Sequence, residues 1–189
     1  MKKYQYGMTL IELMISIIIG IIVTLGALSL FLTHLKTNST QLKAIRLNQE
    51  LRSALTIMSK DIRRSGHYRD AASNIGAANP FNQLSITNSN RTINFSYDAE
   101  DDGTTETYGY QLNTTSGTLQ TCTSTTTACT DWQDLTDGTL TNITALTFTQ
   151  ATTAVGGTNL VKVSISLTGN LRTDTAFTRT LQETITLRN

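Results

Sequence analysis

The chain has 189 residues, which leaves room for one domain beyond a membrane anchor. Aromatic residues make up only 6% while Thr, Ser and Asn abound, a composition for a thin core under a polar, sheet-like surface. A formal charge of +1 excludes a strongly basic nucleic-acid-binding surface and leaves proteins as the expected partners.

The first element is a basic head with Lys2 and Lys3, then Gly7, then an apolar run holding one acid, Glu12. From Leu13 to Thr33 there is no formal charge, and about 20 such residues in a helix cross a bilayer core. A secretory signal would place its cleavage site after the apolar run, yet here Gly7, the residue that resembles a cut site, precedes it. An ordinary anchor leaves Glu12 unexplained, because an acid inside a spanning helix costs roughly 2.5 to 3.5 kcal/mol. A cut after Gly7 would release an α-amino group on Met8, four residues before the acid. Amine and carboxylate can then meet at the helix start, or a neighbour's amine can neutralise Glu12 and fix the axial register between subunits. Loss of residues 1–7, with two lysines and no acid, changes the side-chain charge from +1 to −1.

Beyond the anchor the pattern becomes amphipathic, with Leu42, Ile45, Leu51, Leu55, Met58 and Ile62 at helical spacings. No proline interrupts Met8 to Asn79, and Lys60, Arg63 and Arg64 load the last turn before Gly66, a C-cap residue. The expectation is one helix from Met8 to Ser65, about 90 Å long, with Gly20 and Gly26 as its weak points. A sheet is needed to cover its apolar stripe. Strands are expected over Leu84–Ile86, Thr92–Tyr97, Thr105–Leu112, Ile143–Phe148, Leu160–Leu167 and Phe177–Leu187. The clearest alternates Val161, Val163, Ile165 and Leu167 against Lys162, Ser164, Ser166 and Thr168, one face to the helix and one to water. Thr114–Thr130 reads as a low-complexity surface excursion. Its Cys122 and Cys129 form a disulfide if the domain is exported to an oxidising compartment; without nearby histidine they do not make a zinc site, since His34 and His67 lie far off in sequence.

Lys2, Lys3 and the run Gly7, Met8, Thr9, Leu10, Ile11, Glu12, Leu13, Met14 resemble the prepilin signature of type IV pilins and type II secretion pseudopilins. The resemblance implies that a prepilin peptidase cuts after Gly7 and methylates the amine of Met8, and that Glu12 guides docking into a filament. Met8 stands where major pilins carry phenylalanine, a position at which minor subunits vary. Leu51 to Gly66, and more loosely Asp131 to Phe148 with Trp132, Gln133, Leu135 and Leu146, are similar to minor pilin W and J-type pseudopilins.

The fold implied is α+β and type IV pilin-like, a long N-terminal helix whose hydrophobic half spans the membrane and whose amphipathic half packs on an antiparallel sheet. Its expected parts are a leader (1–7), an assembly helix (8–34), an amphipathic helix (35–66) and a β-rich domain (67–189). The kinking proline of many relatives is missing. Implied partners are other minor and major pilins, the prepilin peptidase, the inner-membrane assembly platform and, for the precursor, the bacterial inner membrane with the domain in the periplasm. The leading function is a minor pilin that primes or caps a filament; a secretion or competence pseudopilin and a pilus-tip adhesin are the alternatives.

Outside the signature, Asp98, Glu100 and Asp102 before Gly103 have the spacing of D-x-[DE]-x-D-G, with Glu106 as a further oxygen donor for Ca2+. Gly109 stands where an EF-hand loop needs glutamate, and a solvated acidic turn between Tyr97 and Thr107, which includes Asp101, is the preferred reading. Lys60, Arg63, Arg64 and Arg69 form a basic cluster that suits a helix C-terminus better than a binding patch. Trp132 and Phe148 are expected in the core, and His34 marks the end of the membrane segment. No nucleophile motif, phosphate loop or paired general base points to catalysis, and no other cofactor is implied.

Overall fold

The structure is a computed structural model that describes residues 7–68, 79, 81, 83–104, 106–126, 128–155 and 158–187. Lys2, Lys3, Arg69 and Thr105 lie outside these residues. The chain divides into two compact units at Lys43/Ala44, and helix α1, Leu10–Arg64, runs through both. It starts two residues later than the apolar pattern suggests, because Thr9 takes the cap position: its hydroxyl accepts the Glu12 N–H at 3.3 Å and its carbonyl the Leu13 N–H at 3.2 Å. It ends at Gly66, whose φ of 83° is the left-handed conformation that a C-cap requires.

In the first unit the apolar side chains of α1 are exposed, and several of its hydroxyls find partners on the helix itself. The hydroxyls of Ser16, Thr24 and Thr33 donate to the carbonyls four residues back, at 2.8, 2.7 and 2.9 Å. Such internal bonds let hydroxyl residues sit in hydrocarbon without an unmet donor. This is the one described helix long and apolar enough to cross a membrane.

The second unit packs the rest of α1 under two antiparallel sheets. Leu47, Leu51, Ala54, Leu55, Met58 and Ile62 form its buried stripe. The expected start of that stripe is corrected: Leu42 and Ile45 keep the helical spacing but remain 61% and 53% exposed, while Leu47, one turn before Leu51, is fully buried. The first sheet has the order β1 (Leu84–Thr87), β2 (Thr92–Tyr97), β3 (Glu106–Asn113), β4 (Thr118–Ser124), β5 (Gln133–Asp134). The second is β6 (Thr141–Val155), β7 (Thr158–Leu171), β8 (Asp174–Thr186). Two sheets thus replace the single one expected, and Thr118–Ser124 is a strand of seven residues inside the stretch read as a surface excursion. It pairs along β3 from Asn113↔Thr118 to Thr107↔Ser124, burying Leu119 beside Leu112.

The sheets are joined by backbone bonds at hairpin tips. Phe148 N–H donates to Asn90 O at 2.8 Å, and Ile143 N–H to Gly117 O at 2.7 Å. Gly117 has φ 68°, and a Cβ there would strike the Asn142 side chain. Ile93, Phe95, Tyr110 and Leu119 from the first sheet and Leu146, Phe148, Val163, Ile165, Leu167 and Ile185 from the second close one core with the helix stripe. Each fully buried large apolar side chain contributes about 1.5–3 kcal/mol.

Candidate functional site

Gly7, Met8, Thr9 and Glu12 gather at the start of α1. Residues 7–9 precede the helix; Met8 is 67% exposed. Thr9 and Glu12 stand in the T-x-x-E arrangement of a capping box, and the Thr9 half of it is made. The acid lies in the first helical turn, where the dipole favours negative charge. No described residue supplies a partner for its carboxylate. The Thr9 cap is legible in the sequence through that four-residue pattern, but the apolar run alone sets the helix start too early.

The two cysteines are brought together as a disulfide, with Cα atoms 5.8 Å apart. It lies beside Gly109, on the opposite side of the first sheet from Tyr108 and Tyr110, because Cys122 pairs with Gly109 across β3 and β4. An added Cβ at Gly109 would come within 2.9 Å of Trp132 Cη2, 3.1 Å of Cys129 Sγ and 2.5 Å of Asn94 Oδ1. The glycine therefore makes space for the indole and the disulfide to lie against the sheet. Trp132 is half-buried on this outer face, a correction to its expected place in the core, whereas Phe148 is fully buried in the core as expected.

The acidic segment is organised as a turn. Asp98 is buried and accepts the N–H groups of Asp102 at 3.0 Å and Gly103 at 3.1 Å, one on each oxygen. Glu106 Oε2 accepts the Ala99 N–H at 2.9 Å, and Asp102 Oδ1 the Thr104 N–H at 2.7 Å. Asp101 lies 3.1 Å from His67 Nε2. Asp98, Glu100, Asp102 and Glu106 do not converge: among the described residues no group of three or more His, Cys, Asp or Glu side chains is arranged to hold a metal ion.

The C-terminal turns of α1 hold the first sheet through charged side chains. The Arg64 guanidinium lies 4.4 Å from the Tyr97 ring centre, and the Tyr110 hydroxyl donates to Asp61. Burial first, then the Asp61 carboxylate, pushes the Tyr110 phenol above its ordinary value; burial first, then Tyr108, does the same to Tyr97. Of the basic cluster, Arg64 is thus spent on packing. Sequence reading missed a second clamp, at Glu50. Its Oε1 accepts the Asp137 N–H at 2.6 Å and its Oε2 the Thr141 hydroxyl. Arg172 ties the same loop to the β3–β4 turn, donating to the carbonyls of Gly138 and Ser116. Nothing in the sequence signals these long-range bonds.

A long N-terminal helix with a bare apolar half, an acid in its first turn and antiparallel sheets over its second half defines a type IV pilin-like protein. Residues 2–28 match the prokaryotic N-terminal methylation motif, and residues 40–187 match the family described as prepilin peptidase-dependent protein B. The chain belongs to that family. No curated protein and no solved structure matches it.

Proposed function

We propose that the protein is a minor pilin of a type IV filament, held in the bacterial inner membrane as a precursor with its β-rich domain in the periplasm. A prepilin peptidase cuts between Gly7 and Met8 and methylates the new amine. The processed subunit then joins other pilins, through an inner-membrane assembly platform, in a complex that primes or caps the filament. The observation that carries this reading is the bare apolar half of α1, most of which lies within a methylation motif over residues 2–28. Such a surface is stable in lipid or against other helices, and in water it is not. Glu12 pairs with a neighbour's amine, so that leaving the bilayer does not strand a buried charge.

Mass spectrometry of the protein from membranes, with and without the host's prepilin peptidase, tests the first step. A chain starting at Met8 with one added methyl supports it, and a full-length chain in both cases overturns it. For the second step, Glu12→Ala is expected to insert and be cut normally but to reduce recovery in sheared filaments by about tenfold or more, the scale of an unpaired charge in an apolar contact. Undiminished recovery would remove the pairing role.

A further inference from the structure

We infer that Thr9 is a positioning residue for processing: its cap stops α1 short of the Gly7–Met8 bond and keeps the Gly7 carbonyl out of the helical hydrogen-bond ladder. The inference rests on the proposed cut after Gly7. In that hydrolysis water adds to the Gly7 carbonyl carbon and the bond to the Met8 nitrogen breaks. The oxygen stays on the new Gly7 carboxylate and a proton goes to the Met8 amine. Attack needs an open carbonyl whose approach is not fixed by a helical turn. The structure provides this. The first carbonyl in the ladder is that of Thr9, which accepts from Leu13 N–H at 3.2 Å, and the Thr9 hydroxyl takes the Glu12 N–H at 3.3 Å. Gly7 lies two residues outside, exposed and with nothing within 4 Å of where a side chain would begin.

What happens without the hydroxyl follows from the same accounting. The first N–H groups of a helix must find acceptors, and near a bilayer core leaving them unmet is costly. Met8 is a poor cap, whereas glycine caps nearly as well as threonine. The cap then moves to Gly7, Met8 becomes the first helical residue, and the Gly7 carbonyl turns toward the Ile11 N–H. The bond to be cut is drawn into the first turn.

The test uses the full-length precursor in membrane vesicles with a prepilin peptidase, reading the initial rate of leader removal. Thr9→Val keeps the side-chain outline and loses the hydroxyl, and is expected to be cut about fivefold more slowly, the population shift that a typical threonine cap sustains. Thr9→Ser and Thr9→Asn, which restore a cap, are expected at the wild-type rate. A wild-type rate for Thr9→Val overturns the inference. So does a Thr9→Ser or Thr9→Asn rate as low as that of Thr9→Val, which would assign Thr9 to direct recognition by the enzyme. Either result leaves the processing itself standing. An uncut wild-type chain overturns processing and this role together.

Discussion

Between Leu13 and Leu35 the α1 helix exposes its leucines and isoleucines, whereas between Leu47 and Ile62 a stripe of the same residue types is closed to solvent. The polar side chains of the two stretches differ as sharply. In the first, the hydroxyls bond carbonyls four residues back on the same helix. In the second, Glu50 reaches Asp137 and Thr141, and Asp61 reaches Tyr110. A helix with its own covering in the chain can use charged residues as clamps to that covering. A helix whose apolar side chains stay exposed keeps its hydroxyl groups satisfied locally, whatever surrounds it, and leaves Glu12 as the polar side chain that needs an outside partner.

That contrast is open to a direct break. Phe148→Ala removes a fully buried ring from the core that the two sheets share with the helix stripe and is expected to cost about 3–5 kcal/mol in denaturant unfolding of the β-rich domain. Ile18→Ala truncates an exposed residue of the bare half and is expected to leave the same transition unchanged. A comparable loss in Ile18→Ala would mean that the first half is covered from within the chain.

The sequence made the two halves legible to different degrees. Uncharged length betrayed the bare half, and the alternation of Val163, Ile165 and Leu167 marked β7, because these residues answer to water and to their own period. The bounds Thr92–Tyr97 of β2 match as well. Strand β4 was hidden because its residues are threonine, serine, glutamine and cysteine around one leucine. It is a strand through what lies beside it, Leu112 across from Leu119 and Gly109 across from Cys122. Leu42 and Ile45 fail in the opposite way: their spacing is right, yet both stay exposed. Of the site, Gly7, Met8 and Glu12 were legible as a pattern. The clamps at Glu50 and Asp61 join residues far apart in the chain, and short-range patterns carry no trace of them.

The outer face around Gly109 gives the next expected effect in size. In Cys122→Ala/Cys129→Ala the unfolded chain regains the freedom of a short closed loop, a loss of about 2–3 kcal/mol of domain stability in denaturant unfolding. Trp132 is the chain's one tryptophan and lies beside Cys129 over Gly109, so its fluorescence should shift to the red as the indole gains solvent. Unchanged emission would show that the indole holds its place without the disulfide. Extraction of the precursor from membranes, which depends on the bare half, should not respond.

The smallest effect sharpens the clamp side of the comparison through pH. Tyr110→Phe removes the hydroxyl that donates to Asp61 and is expected to cost about 1.5–3 kcal/mol near neutrality, the scale of one hydrogen bond to a charged group. Burial and the Asp61 carboxylate hold the Tyr110 phenol above its ordinary value of 10, and burial does so for Tyr97. The folded state therefore favours the neutral phenols. Their contribution is complete below pH 10 and is lost as the pH rises above it, because the unfolded chain releases those protons first. Each buried tyrosine steepens the alkaline loss by about 1.4 kcal/mol per pH unit. Tyr110→Phe should thus begin less stable than the wild type and lose stability less steeply above pH 10, with Tyr97 still contributing to the loss. Equal slopes in the two proteins would mean that Tyr110 ionises as readily folded as unfolded, and the helix end would then be held by Arg64 over Tyr97 and by apolar packing without the Asp61 clamp.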